Sequence, residues 1–149
     1  MYSEPEVTNN DDLDINPQNG ADDNDQNNDN GEDQTKINWL NYNTGMSKAE
    51  NENKPVIIDF YADWCGPCNS MDAELYPDSR VIQKAKSFVM IKVNGDYNRE
   101  LMDQYNVESY PTIVFLDRNG NEIDRWVGWG QNIENQIIEF LLYMDNTLN

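Results

Sequence analysis

Val56-Ile57-Ile58-Asp59-Phe60-Tyr61-Ala62-Asp63-Trp64-Cys65-Gly66-Pro67-Cys68 is the stretch that decides how the rest of the chain is read. Its first seven residues form a nearly continuous apolar run, which fits a central strand buried on both faces. The chain's two cysteines follow directly, three positions apart, where a strand should become a helix. The first turn of a helix presents unpaired N–H groups and a partial positive charge, and both stabilise a thiolate over a thiol. Cys65 is therefore the candidate nucleophile, expected to be ionised and accessible. Cys68, one turn further on, is placed to displace a substrate sulfur from a mixed disulfide, leaving an internal disulfide behind.

Other readings of the two cysteines are weaker. A structural zinc site needs four Cys or His ligands, and this chain has two Cys and no His. A purely structural disulfide across so short a loop removes little entropy from the unfolded chain. Two unrelated core cysteines leave the Gly-Pro between them and Trp64 before them without a purpose. Reversible redox chemistry, with no metal and no organic cofactor, is the reading that uses all of these residues.

Charge divides the 149 residues in two. Residues 1–34 hold eleven acidic residues and no Lys or Arg, in a background of Asn, Gln, Asp and Gly, whereas residues 35–149 hold seventeen acids and ten bases. The first segment lacks the apolar surface to offset its ordering entropy and is expected to be a disordered acidic tail ahead of one domain, 35–149. A net charge of -18 with no basic patch argues against nucleic acid and anionic membranes as partners. No apolar stretch is long enough to span a bilayer, and residues 1–10 are acidic where a secretory signal would be basic and then hydrophobic. A long polar spacer ahead of a redox domain favours an exported, envelope-tethered protein over a cytoplasmic one, though CxxC pairs work in both compartments.

Ile37 to Leu40 reads as a short strand or extended lead-in, and Ser47 to Asn53 as a helix stopped by Lys54-Pro55. A helix is expected from Cys65 to about Leu75, ended at Tyr76-Pro77, and a second from an Asp78 or Ser79 cap to about Lys86. Phe88 to Val93 forms the next strand and Arg99 to Tyr105 a helix. Thr112 to Leu116 and Glu122 to Val127 then pair as a hairpin across Asp117-Arg118-Asn119-Gly120. Asn132 to about Met144 closes the chain as an amphipathic helix. Strands alternating with helices, then a hairpin and a helix, define an α/β domain with a mixed sheet between helical layers.

From Pro55 to about Gly128 the sequence resembles the thioredoxin family. The run from Asp59 to Cys68, then Tyr110-Pro111-Thr112, Asn119-Gly120 and Val127-Gly128, carries the resemblance in order. Trp39, Lys48-Ala49, Lys54-Pro55 and the segment from Tyr76 to Ile82 are closer to the thioredoxin-like domains of bacterial thiol:disulfide interchange proteins. The resemblance implies a thioredoxin-like three-layer α/β/α sandwich with a central mixed β-sheet, in a monomer. It also implies a cis Pro111 facing the cysteines, with the backbone of Tyr110 free to pair with a substrate strand. Trp64, Gly66, Pro67, Tyr110, Pro111 and Gly128 would line a substrate groove, which Trp126 and Trp129 either extend or leave for packing. Asp59, costly to bury, is expected to be partly solvated or protonated, with a raised pKa, and to accept the Cys68 proton through a water. Lys92 matches the family's partner lysine for that carboxyl.

Two positions depart from the family pattern. Ala73 replaces a kinking proline, and Asn69 replaces a basic residue after the second cysteine. The implied activity is two-electron exchange with protein disulfides, in the reducing direction that a Gly-Pro pair between the cysteines favours. The implied partners are proteins with disulfides and an electron-donating reductase or membrane thiol-disulfide protein. Two other readings use the same residues: a redox-sensing binding module, and an electron-relay domain of a larger membrane system.

Overall fold

The computed structural model describes residues 33–149. All but Asp33 and Gln34 of the expected acidic tail lies outside the described residues. Five strands, β1 (Trp39–Leu40), β2 (Val56–Tyr61), β3 (Val89–Asn94), β4 (Thr112–Leu116) and β5 (Glu122–Val127), form one sheet in the order β1-β3-β2-β4-β5. Strands β1, β3 and β2 run parallel, while β4 is antiparallel to both β2 and β5. The expected mixed sheet is thus present, with the apolar run of β2 at its centre.

Alternation along β2 sorts its side chains between two apolar layers. Ile57 packs with Met71, Leu75, Phe115, Trp126 and Phe140 on the face covered by α2 (Gly66–Glu74), α3 (Ser79–Ala85) and α5 (Ile133–Leu148). Val56, Ile58 and Phe60 pack with Ala49, Met102, Val114 and Leu116 under α1 (Tyr42–Glu52) and α4 (Arg99–Gln104). The same period of two places Asp59 on the face of Ile57, against α2 rather than α1.

Two helices outrun their sequence-based bounds. α1 begins at Tyr42, not Ser47, because Asn41 caps it by accepting from the Thr44 N–H at 2.9 Å. Gly45, a poor helix former, is kept there by packing: a Cβ at this position would run into the Ile91 side chain of β3. α5 continues past Met144 to Leu148, where the Thr147 hydroxyl donates to the Tyr143 carbonyl at 2.8 Å. α2 runs unbroken through Ala73 and ends at the Leu75 cap. Arg80 joins α3 to α5, with Nη1 2.8 Å from Glu134 Oε1. Among the described residues no helix is long and apolar enough to cross a membrane.

Candidate active site

Cys65 is the N-cap of α2, and its Sγ accepts the backbone N–H of Cys68 at 3.1 Å. Pro67 sits in the first turn, where its missing N–H and fixed φ cost nothing. The two cysteines are joined in a disulfide with a Cα–Cα separation of 5.3 Å. They are more enclosed than the sequence suggests, with 3% of Cys65 and 4% of Cys68 exposed, packed with Ala62, Tyr61 and Tyr110. The approach lies over Gly66 and Pro67, both exposed, and a Cβ at Gly66 would meet nothing within 4 Å.

The Tyr110-Pro111 peptide bond is cis, as expected. Gly128 secures this loop: its N–H donates to the Pro111 carbonyl at 2.9 Å, in a backbone with φ of 86° that favours glycine. Trp126 Nε1 donates to the Gly128 carbonyl at 2.8 Å. Both Trp126 and Trp129 are buried in the layer with Phe140, so they pack the core and do not extend the groove.

Trp64 is 72% exposed, yet its orientation is fixed. Its Nε1 donates to Asp96 Oδ2 at 2.7 Å, and the Tyr110 hydroxyl donates to Asp96 Oδ1 at 3.1 Å. The Trp64 and Tyr110 rings meet edge-on at 5.6 Å. Asp96 lies in the 3-10 turn Gly95–Tyr97 that follows β3, and sequence reasoning missed it. A lone acid in a polar turn carries no periodic signal.

The Asp59 carboxyl is buried, with 3% of the residue exposed, because the strand around it is covered on both faces; of the two expected alternatives, the fold provides the raised pKa and not partial solvation. Its pKa is raised to about 7, chiefly by burial, against the lowering effect of Lys92 and of a hydrogen bond from Tyr76. Lys92 is the register partner of Asp59 on β3. Its ammonium is nevertheless bound to Asp72 Oδ1 of α2 at 2.6 Å, so it acts on Asp59 through space. Nζ also sits 5.0 Å from the Trp39 ring, 5.2 Å from that of Tyr61 and 5.7 Å from that of Tyr76. The sequence offered Tyr76 as a helix stop and as the start of the segment to Ile82, not as a partner for Asp59, and Asp72 not at all.

A disulfide capping a helix, opposite a cis-proline loop at one end of a β1-β3-β2-β4-β5 sheet, is the arrangement the resemblance called for. Residues 35–142 match the family model for thioredoxin. The chain belongs to the thioredoxin family. It is 44% identical over 77 residues to Thioredoxin-T of Drosophila melanogaster, covering 52% of this chain and 47% of that one. Thiol:disulfide interchange protein DsbD of Haemophilus influenzae is 35% identical over 79 residues, or 50% of this chain and 14% of that protein. The chain thus spans less than half the length of either relative. The solution structure of a thioredoxin from Thermus thermophilus superposes with a TM-score of 0.65 at 26% identity, covering 74% of this chain and 86% of that one.

Proposed function

We propose that this protein is a thiol-disulfide oxidoreductase that reduces protein disulfides through Cys65 and Cys68. The observation that carries the reading is the Cys65 sulfur at the N-terminus of α2, accepting the Cys68 N–H beside the cis-proline loop. In the reduced protein the Cys65 thiolate attacks one sulfur of the substrate disulfide and expels the other as a thiolate, which takes up a proton. Cys68 then gives its proton to Asp59, through a water, and attacks the Cys65 sulfur. The second substrate thiol leaves, two electrons have passed to the substrate, and the protein holds the disulfide. The electrons travel through the protein's own sulfurs, so the cycle calls on no metal or organic cofactor.

Trp64, Gly66, Pro67, Tyr110 and Gly128 form the surface over which an extended substrate segment would lie, with the Tyr110 backbone as its pairing edge and Pro111 itself buried. The likeness to DsbD supports a dithiol protein as the electron donor that restores the reduced state. Turnover of insulin disulfides with dithiothreitol tests the reading: wild type should be faster than Cys65→Ser by orders of magnitude, and equal rates would leave a binding module instead. Cys68→Ser should accumulate a covalent mixed disulfide through Cys65.

A further inference from the structure

Tyr76 follows the Leu75 cap of α2 and precedes Pro77, and nothing in that position calls for a hydroxyl. The ring is fixed on several sides: it meets Trp39 edge-on at 4.8 Å and Phe140 at 6.4 Å. Only 5% of Tyr76 and 3% of Asp59 is exposed, and the Tyr76 hydroxyl donates to Asp59 Oδ2 at 2.8 Å. Oδ1 of the same carboxyl is buried with no hydrogen-bond partner among the described residues.

We propose that Tyr76 is a positioning residue for the exchange: by holding Oδ2 it sets the plane of the Asp59 carboxyl and leaves Oδ1 as the oxygen that takes the Cys68 proton. The proposal rests on the reading of Asp59 as proton acceptor for Cys68. A hydrogen bond from a phenol to a carboxylate also stabilises the ionised form, which is the form that accepts. Burial first, and then the Asp59 carboxylate itself, push the Tyr76 hydroxyl well above its ordinary range, so it remains a donor throughout.

Other charged groups face Asp59 from the packed elements, and they oppose one another. Lys92 on β3 favours the carboxylate, while Asp72 on α2, which holds the Lys92 ammonium, disfavours it. Tyr76 is left as the direct donor to the carboxyl among the described residues. A phenylalanine would fill the same space and keep the ring contacts, so the hydroxyl can be tested apart from the packing.

The test compares wild type, Tyr76→Phe, Asp59→Asn and the double variant in the full chain. Two quantities are followed: the Asp59 carboxyl titration by carbon-13 NMR and the pH profile of insulin reduction. In Tyr76→Phe the Asp59 midpoint should rise by about one pH unit, as expected for losing a hydrogen bond to a charged group. The carboxylate fraction at pH 7 would then fall about fivefold, and the rate of the Cys68 step with it, recovering toward wild type by about pH 9. In the Asp59→Asn background, Tyr76→Phe should leave the pH profile unchanged. An unmoved Asp59 midpoint and pH profile in Tyr76→Phe, with Asp59→Asn impaired, overturns the positioning role alone. Wild-type rates in Asp59→Asn at every pH overturn the proton-acceptor reading and this inference together.

Discussion

The backbone N–H of Cys68 points at Cys65 Sγ from 3.1 Å, so the second cysteine of the pair stabilises the first through its main chain. An N-cap normally offers oxygen to this donor; here sulfur takes the place. In the reduced protein the same N–H and the positive end of α2 favour negative charge on Cys65.

Titration of thiolate absorbance in the reduced protein should therefore show one group ionising well below the ordinary cysteine value of about 8.5. Cys65→Ser should remove this early transition and Cys68→Ser should keep it. An ordinary midpoint for Cys65 would contradict the activation described above.

The buried carboxyl makes stability depend on pH with a defined sign. Asp59 titrates at about 7 in the fold, against about 4 in an unfolded chain. Between these values the folded state holds a proton that the unfolded state has released. The resulting stabilisation is complete below about pH 4 and lost as pH rises through about 7, by roughly 4 kcal/mol at most. Asp59→Asn should flatten this slope and be the more stable protein at pH 8, as read by urea unfolding at several pH values. Asp78, Asp117 and Glu134, each held low by hydrogen bonds, act in the opposite sense at lower pH.

Asp96 orients two groove side chains while contributing little to the core. Asp96→Ala removes the acceptor of both Trp64 Nε1 and the Tyr110 hydroxyl. Losing about 1 kcal/mol of preorganisation should raise KM for insulin about fivefold. The melting temperature should move by only about 2 °C, since both bonds lie at the surface. Steady-state kinetics and a thermal melt check the two halves of this expectation.

Gly95 is required for space. A Cβ there would land against the Tyr110 hydroxyl and 2.7 Å from Met102 Sδ. Gly95→Ala should destabilise the fold by about 1–3 kcal/mol through overpacking and displace Tyr110 from Asp96. Denaturation measures the first effect, and a rise in KM like that of Asp96→Ala reports the second.

Much of the framework was legible because it is written in local pattern. The apolar run of β2, the hairpin at Asp117 to Gly120 and the amphipathic α5 each follow from periodicity or turn chemistry. The start of α1 was not legible, because Gly45 is a poor helix former in local terms and only its contact with Ile91 across the layer calls for it. The site divides in the same way: Cys65, Cys68 and Pro111 stand in short motifs, whereas Asp59 meets Tyr76 from 17 positions away.

By itself the sequence determined the dithiol, the strand-to-helix junction that holds it and the mixed α/β architecture, since each depends on neighbours within a few residues. Only the tertiary structure decided which groups answer the buried carboxyl, which acid captures Lys92, and whether Trp126 and Trp129 face substrate or core. Those outcomes depend on which faces of distant segments meet. A buried charge requires compensation, but sequence does not specify which side chain the fold will bring to it.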